Sequence, residues 1–549
     1  MSSALDQDDV RRFMQDLPPW YKSPGLIRLY LLLLSPMVTS AAWGFDLSMT
    51  NGLQAVSVFM DNFGNPTGAT LGFYGASMTV GGIVACIIGG PLNDRFGRRT
   101  LVFVGGLIVI GMVLMETFAT SFSMFSGAKL VLGFGSNLQQ IAAPVLITEL
   151  VHPKQRETLT SIYNTCIFVG LIIGSWVTFA TFSMETQWAW KLPCILQLML
   201  PCFQALTIWF CPESPRWLCS RGRIDEAQAI LVKYHGNGVR TPLVEAELQE
   251  ILAGLEADKT QIKFNKEGIK TVLGSKGNRH RLWLGFWTAI GSQCLGSNFV
   301  STYLPLILDQ VGMTSSKEKT LINGLVNIWQ WVCAVGAAFV IPRVGRRTVF
   351  LTSSIGMTVT FIVWTALTAT YLRDPKDGYG IGLIVIIFVF SFFTAICWIP
   401  LVIAYPLEVV TTKQRGVFFS WTMFSINASA FVASYLNPVA LENIGWRYYI
   451  VQCVFNSAFV VLIYFTYVET RGFTLEEIAG IFDGTDDFQH AKALVTVGLE
   501  KETEMTVATH EDHVDNKPAV ESKAVLEDLK LQLRTQQMSI IPGLRVTKK

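Results

Sequence analysis

The sequence predicts an all-α membrane protein, with twelve transmembrane helices in two six-helix bundles joined by a cytosolic helical linker. Three observations carry this. Hydrophobic residues make up 51% of the 549-residue chain and charged residues only 15%. Its repeated apolar runs of about 20 residues are each long enough to cross ~30 Å of hydrocarbon. Two basic knots, Asn93-Asp94-Arg95-Phe96-Gly97-Arg98-Arg99 and Arg343-Val344-Gly345-Arg346-Arg347, are wedged between apolar runs about 250 residues apart, so the second half repeats the plan of the first.

Residues 1–26 are polar and charged and form a cytosolic N-terminal segment, with no removable signal peptide in view. The runs that follow fall at 27–50, 71–92, 101–120, 124–149, 159–182 and 192–211, which make an N-terminal bundle over 27–211. The runs at 282–308, 320–342, 348–371, 380–407, 416–437 and 448–468 make a C-terminal bundle over 282–468. Glycine pairs and repeats inside them, such as Gly81-Gly82, Gly89-Gly90 and Gly170/Gly174, let membrane helices approach closely. Lys and Arg cluster in loops 93–100, 151–158, 212–281, 343–347 and 412–415, while loop 51–70 has none, which places the clusters and both termini in the cytosol. Segment 212–281 carries stretches of mixed charge, Arg223–Tyr234 for example, that read as short amphipathic helices under the membrane. The cytosolic tail, 469–549, is polar and poor in apolar residues beyond about 485, a composition that predicts disorder. The net charge of +2 carries no inference, because placement decides here. The ten cysteines lie mostly in apolar runs without metal-ligand spacing and read as small buried residues.

Ionisable residues inside the runs are expensive, at roughly 2.5–3.5 kcal/mol or more each at the bilayer centre. Asp46 lies 18 residues beyond Arg28, about 27 Å above the cytosolic mouth at ~1.5 Å per helical residue. Lys129 lies 20 residues before Glu149, about 30 Å above the same mouth. Opposite charges at matching depth predict a salt bridge or a proton-exchanging pair. Glu116, near the outer end of its run, is expected to be interfacial and structural. At the cytosolic ends, Glu149 with Arg156 and Glu408 with Arg415 repeat one seven-residue spacing in the two halves. Static topology anchoring explains the arginines but not the matched glutamates. A clasp that holds while the cavity opens outward, and breaks when it opens inward, explains both.

The ordered motifs resemble a known family. Gly90-Pro-Leu-Asn-Asp94-Arg-Phe-Gly97-Arg98-Arg99, Glu149/Arg156 and Pro212-Glu213-Ser214-Pro215-Arg216-Trp217-Leu218 are followed by Gly345-Arg346-Arg347, Glu408/Arg415 and Glu469-Thr470-Arg471-Gly472. Over about residues 25–485 the chain resembles the sugar porters of the major facilitator superfamily. Gly64–Thr70 and Phe473–Gly484 point to the fungal lactose-permease and cellodextrin-transporter branch. The resemblance implies a midplane sugar site containing Gln293, Asn298 and Asn427, with Asn164 where many sugar porters carry Gln and Gln330 where many carry Asn. Amides suit sugar hydroxyls because both donate and accept, and Trp398 and Tyr405 are candidates to stack on a sugar ring. The cytosolic gate would comprise Asp94, Arg98, Arg99, Glu149, Arg156, Glu213, Arg216, Arg346, Arg347, Glu408, Arg415, Glu469 and Arg471. Two departures stand out: Lys129 where the family usually has the Arg that pairs with the span 1 Asp, and Glu157 in place of a glycine.

The expectation is therefore a plasma-membrane carrier, a monomer, that imports a disaccharide or hexose with protons through Asp46 and Lys129. A transporter-like sugar sensor signalling through its tail is the alternative from another class. The same fold carrying a non-sugar metabolite is a third. No cofactor, metal, nucleic acid or enzymatic step is expected, since no nucleophile motif, phosphate-binding glycine loop or metal cluster occurs.

Overall fold

The computed structural model describes residues 20–258, 273–313, 315–375, 377–410 and 415–471, with 478 and 482. The N-terminal segment before Trp20, the end of the linker at 259–272 and the tail from 483 onward lie outside the described residues. Each apolar run is a helix or a pair of helices. Span 1 is Pro24–Leu53, span 2 Gly68–Phe96, span 3 Arg98–Thr117, span 4 Phe122–Leu150 and span 5 Arg156–Thr181. Span 6 is made of Trp188–Gln197, Met199–Thr207 and a 3-10 turn at Ile208–Phe210. Span 7 is divided into Lys276–Cys294 and Ser297–Asp309, and span 10 into Asp377–Cys397 and Leu401–Glu408. Span 8 is Ser316–Val344, span 9 Arg346–Arg373, span 11 Arg415–Ile444 and span 12 Tyr448–Thr466.

Among the described residues, nine stretches are long and apolar enough to cross a membrane, and one of them, Val417–Thr466, holds spans 11 and 12. Spans 7 and 8 fall outside this set. Span 7 is interrupted, and its polar Ser292, Gln293, Ser297 and Asn298 lower its hydropathy, while span 8 includes residues 338, 339 and 342, whose side chains lie outside the described residues. Polar residues that face protein rather than lipid lower a helix's hydropathy without lowering its fitness to span.

Small residues set the packing of the first half. A Cβ on Gly44 of span 1 would strike the backbone of Ile167 in span 5, and one on Gly170 would strike Ala41. Spans 2 and 4 meet in the same way through Gly81 and Gly133. With little hydrophobic drive between helices in lipid, such backbone approach supplies the van der Waals contact that holds them.

The linker is fastened to the first half. Its helices Pro215–Ser220, Ile224–Tyr234 and Pro242–Asp258 share a small core of Leu218, Cys219, Ala227, Leu231, Val244 and Leu248. Asn237 accepts from the Ser23 hydroxyl (2.9 Å) and the Gly25 N–H (2.8 Å) at the start of span 1. His235 bridges Glu247 (2.6 Å) and the Leu150 carbonyl (3.1 Å) at the end of span 4. Beside it, burial pushes His152 down to about 4, against the opposing pull of Glu247.

Candidate functional site

Asp46 and Lys129 meet. Lys129 Nζ donates to Asp46 Oδ1 at 2.8 Å and to Thr50 Oγ1 at 2.7 Å, and both charged side chains are 2% exposed or less. Gln197 of span 6 donates to the same Asp46 oxygen (3.1 Å), so spans 1, 4 and 6 converge there. Neither Thr50 nor Gln197 was singled out by the sequence. Thr50 is the residue one turn after Asp46, which is the only hint of it. The pocket is capped by packed rings: Phe59 and Phe63 from the short helix Ser57–Asn62 and its end, with Tyr74, Phe125 and Trp190. Glu116 corrects the sequence expectation. Near the end of its span it faces inward and is fully buried, and both carboxyl oxygens lack a hydrogen-bond partner.

The knots form two near-copies of one device. Gly97 (φ 92°, ψ 158°) and Gly345 (φ 98°, ψ 149°) each separate two long helices with a single residue. This backbone region is essentially reserved for glycine. Just past the first, the N–H groups of Arg98 and Arg99 donate to Glu213 at 3.2 Å. Just past the second, those of Arg346 and Arg347 donate to Glu469 at 2.8 and 3.1 Å. A carboxylate at a helix start satisfies free N–H groups and meets the positive end of the dipole. Burial nevertheless pushes the Glu213 carboxyl up, opposed by the N–H groups of Ser214 and Arg99. The arginine side chains repeat as well. Arg98 pairs with Glu149 (3.0 and 3.3 Å), and Arg346 with Glu408 (3.2 Å). Arg99 reaches the Cys211 carbonyl and lies over Trp209, as Arg347 reaches the Tyr464 carbonyl and lies over Tyr464.

The partner of Glu149 is therefore Arg98 rather than Arg156, which is exposed. The Arg415 side chain lies outside what the structure describes. Asp94 is exposed and 3.6 Å from Arg98, and the exposed Arg471 gives its backbone N–H to Glu469 (3.1 Å). Arg216 lines a cleft of about 480 Å³ with Asp94, Arg95, Arg98 and Arg221. This cleft opens on the knot face, and none of the candidate amides lines it. These ion pairs tie helix ends together inside one half, so each clasp braces its own bundle.

Bonds between the halves gather toward the opposite end. Asn51 donates to the Ser301 carbonyl (2.8 Å) and to Asn323 (3.2 Å), and Gln54 donates to the Thr302 carbonyl (2.8 Å). Thr67 donates to Glu442 (2.9 Å), and Asn327 donates to Ser48 (3.3 Å). The sequence reading missed this seam. Amides inside apolar runs were its available signal, and only those matching a family position were picked.

The sugar-site candidates divide into two groups. Gln293, Asn298, Gln330 and Asn427 are half-buried and Asn164 is exposed, all within membrane spans. Asn298 accepts from Ser434 (3.1 Å), and Asn427 donates to the Met423 carbonyl (3.0 Å) and to Cys86 Sγ (3.5 Å) of the other half, where it lies against Gly82. Trp398 and Tyr405 are corrections. Trp398 packs on Gly291, Phe350 and Phe459, and Tyr405 stacks on Tyr467 with its hydroxyl on Val468. Both are buried in the second half and offer no open ring to a ligand in this structure.

Gln293 and Asn298 flank the interruption of span 7. Gly296 there has φ 103°, and a Cβ would collide with Phe361. The freed carbonyls of Cys294 and Leu295 accept from Gln452 (2.5 Å) and Asn456 (3.3 Å) of span 12. Non-helical backbone at membrane depth needs such replacement donors.

Comparison with known proteins agrees with this architecture. Residues 32–482 match the family model described as "Sugar (and other) transporter". A high-affinity glucose transporter of Kluyveromyces lactis is 25% identical over 476 residues, covering 83% of this chain and 85% of the relative. The probable metabolite transport protein CsbC of Bacillus subtilis is 28% identical, covering 82% and 94%. Among solved structures, the inward-open xylose transporter XylE of E. coli superposes with a TM-score of 0.69 at 20% identity, covering 82% of this chain and 99% of that one. The twelve-span, two-bundle architecture is thus the major facilitator fold, and the chain belongs to the sugar (and other) transporter family.

Proposed function

We propose that this protein is a secondary active transporter, a monomer in the plasma membrane, that imports a sugar with protons by alternating access. The sugar is a hexose or a disaccharide such as lactose or cellobiose, and the knots and both termini face the cytosol. The single observation that carries the proton is the buried Asp46–Lys129 pair. Buried ion pairs are weak devices for stability, and charges at membrane depth mark function by default. Protonating Asp46 removes the charge that Lys129 faces. Thr50, which holds the same lysine, donates to the Asp46 carbonyl (2.7 Å), and its own carbonyl accepts from Tyr74 and Gln54. Asn51 and Gln54 then cross to the second half. A change of charge at Asp46 therefore reaches the far-end seam within about two turns of one helix.

Support for a sugar cargo comes from the family, from relatives named as glucose transporters, and from a proton:xylose symporter among the solved structures that share the fold. The half-buried amides Gln293, Asn298, Gln330 and Asn427, with Asn164, supply paired donors and acceptors for hydroxyl groups. The test is uptake of a radiolabelled sugar panel in cells stripped of their own sugar carriers, with and without a proton uncoupler. One sugar should accumulate, and the uncoupler should abolish accumulation. An Asp46→Asn variant that still concentrated the sugar against its gradient would sink the coupling.

A further inference from the structure

The pocket around Asp46 holds one more acid than the ion pair uses. Glu116, in the last turn of span 3, is completely buried, and neither carboxyl oxygen has a hydrogen-bond partner. Val113, one turn before Glu116, shares a buried cluster with Leu132 of span 4, against which Leu47 of span 1 and Leu198 of span 6 pack. Glu116 therefore lies beside the stretch holding Lys129, Asp46 and Gln197. The other ionisable groups there are Tyr74 of span 2 and Cys194 of span 6. Lys129 is the cation of this set, and its two short bonds go to Asp46 and Thr50. The second oxygen of Asp46 is also without a partner. Two carboxyl groups thus share one counter-ion in a site closed to water.

Full ionisation of both acids would leave Glu116 as a buried anion with no donor, the arrangement that burial penalises most. A neutral acid needs far less. Two acids around one cation also titrate as a pair, so the proton belongs to the site rather than to one residue. We propose that Glu116 and Asp46 share the transported proton, which sits on Glu116 in the arrangement seen here.

This rests on the symport reading above and deepens it. In the loaded pocket one acid is neutral, the other faces Lys129, and the net charge is zero. The switch is a proton transfer: the O–H bond on Glu116 breaks, one forms on Asp46, and Lys129 keeps its charge. The ammonium has a third donor beyond its bonds to Asp46 and Thr50, and with it Lys129 turns to the newly ionised Glu116. Its partner has then moved from span 1 to span 3, which frees the helix that carries Asn51 and Gln54. Release of the proton requires the pocket to open to water, which then solvates the two ionised acids that the one lysine cannot fully satisfy.

The experiment uses the full chain in proteoliposomes, with radiolabelled glucose, lactose or cellobiose as the uptake panel selects. Counterflow, which needs no proton movement, is measured beside accumulation driven by a one-unit pH gradient, which can reach about tenfold for one proton per sugar. Glu116→Gln is expected to exchange sugar in counterflow but to lose gradient-driven accumulation, and Glu116→Asp to recover part of it. Infrared difference spectra of wild type are expected to show the carbonyl stretch of a protonated buried carboxyl, lost in Glu116→Gln. That spectrum decides the matter even if the variant folds poorly. A coupled wild type together with an equally coupled Glu116→Gln overturns this proposal alone, as does a wild type without the infrared band. Wild-type uptake that ignores the gradient overturns the symport reading and this proposal together.

Discussion

Replacing Lys129 by methionine isolates what the buried ion pair costs and contributes. The ammonium has bonds of 2.8 and 2.7 Å to Asp46 and Thr50, and the pocket is closed to water. Without it, the carboxyl at position 46 must either remain a buried anion with only the neutral Gln197 amide donating to it or take up a proton. The second is cheaper. Neutralising an ordinary aspartic acid, with a reference value near 3.9, costs about 4 kcal/mol at pH 7 and about 1.5 kcal/mol at pH 5. The folded variant then holds a proton that its unfolded chain does not, so its stability falls as pH rises above the ordinary carboxyl range, by up to ~1.4 kcal/mol per unit. The expected result is a Lys129→Met protein destabilised at pH 7 and much less so at pH 5. The double variant Asp46→Asn/Lys129→Met should recover stability and lose the added pH dependence, because a neutral amide replaces the acid and only the share of Glu116, common to wild type, remains. Thermal unfolding in detergent across pH 5–8 measures both. A single variant whose loss does not change with pH, or losses that simply add in the double, would refute the reasoning.

Gly97→Ala and Gly345→Ala place a Cβ in a glycine-only backbone region and 2.7 Å from the capping oxygens of Glu213 and Glu469. Each should cost about 1–3 kcal/mol, read as lowered thermal stability or surface abundance. Asn51→Ala and Gln54→Ala remove bonds between the halves, about 0.5–1.5 kcal/mol each, and should raise labelling by an impermeant thiol reagent of a cysteine placed at the far-end seam. His152 is held neutral by burial, with its value depressed to about 4. A depressed histidine contributes stability above its ordinary value near 6.5 that is lost as pH falls toward 4. His152→Gln should therefore flatten the acid limb of a stability profile while leaving its neutral region in place.

The spans were legible because lipid imposes length and apolarity, and the knots because charge is tolerated only where water lies. The Asp46–Lys129 meeting was legible from depth alone, since two opposite charges counted from the same mouth reached similar height. Glu116 was misjudged because position near a helix end says how deep a residue lies and not which way it faces. Trp398 and Tyr405 were misjudged for a related reason: an aromatic in a span fits lipid, core and ligand equally well, and only packing against Phe350, Phe459 and Tyr467 separates these. The pairing of Glu149 with Arg98 was hidden by spacing. The seven-residue interval to Arg156 repeats in both halves, but the partner that reaches the carboxylate comes from the turn between spans 2 and 3.

The interruption of span 7 places Gln293 and Asn298 on two separate helical pieces, and the pieces are held at their junction by Gln452 and Asn456 from behind. On the proposed function, which puts both amides in the sugar site, cargo preference is set partly from span 12, behind the two pieces. A shorter or longer amide there would tilt one piece against the other and re-aim both side chains at once. Laboratory evolution toward a new solute should find its changes on that rear helix as readily as in the cavity itself.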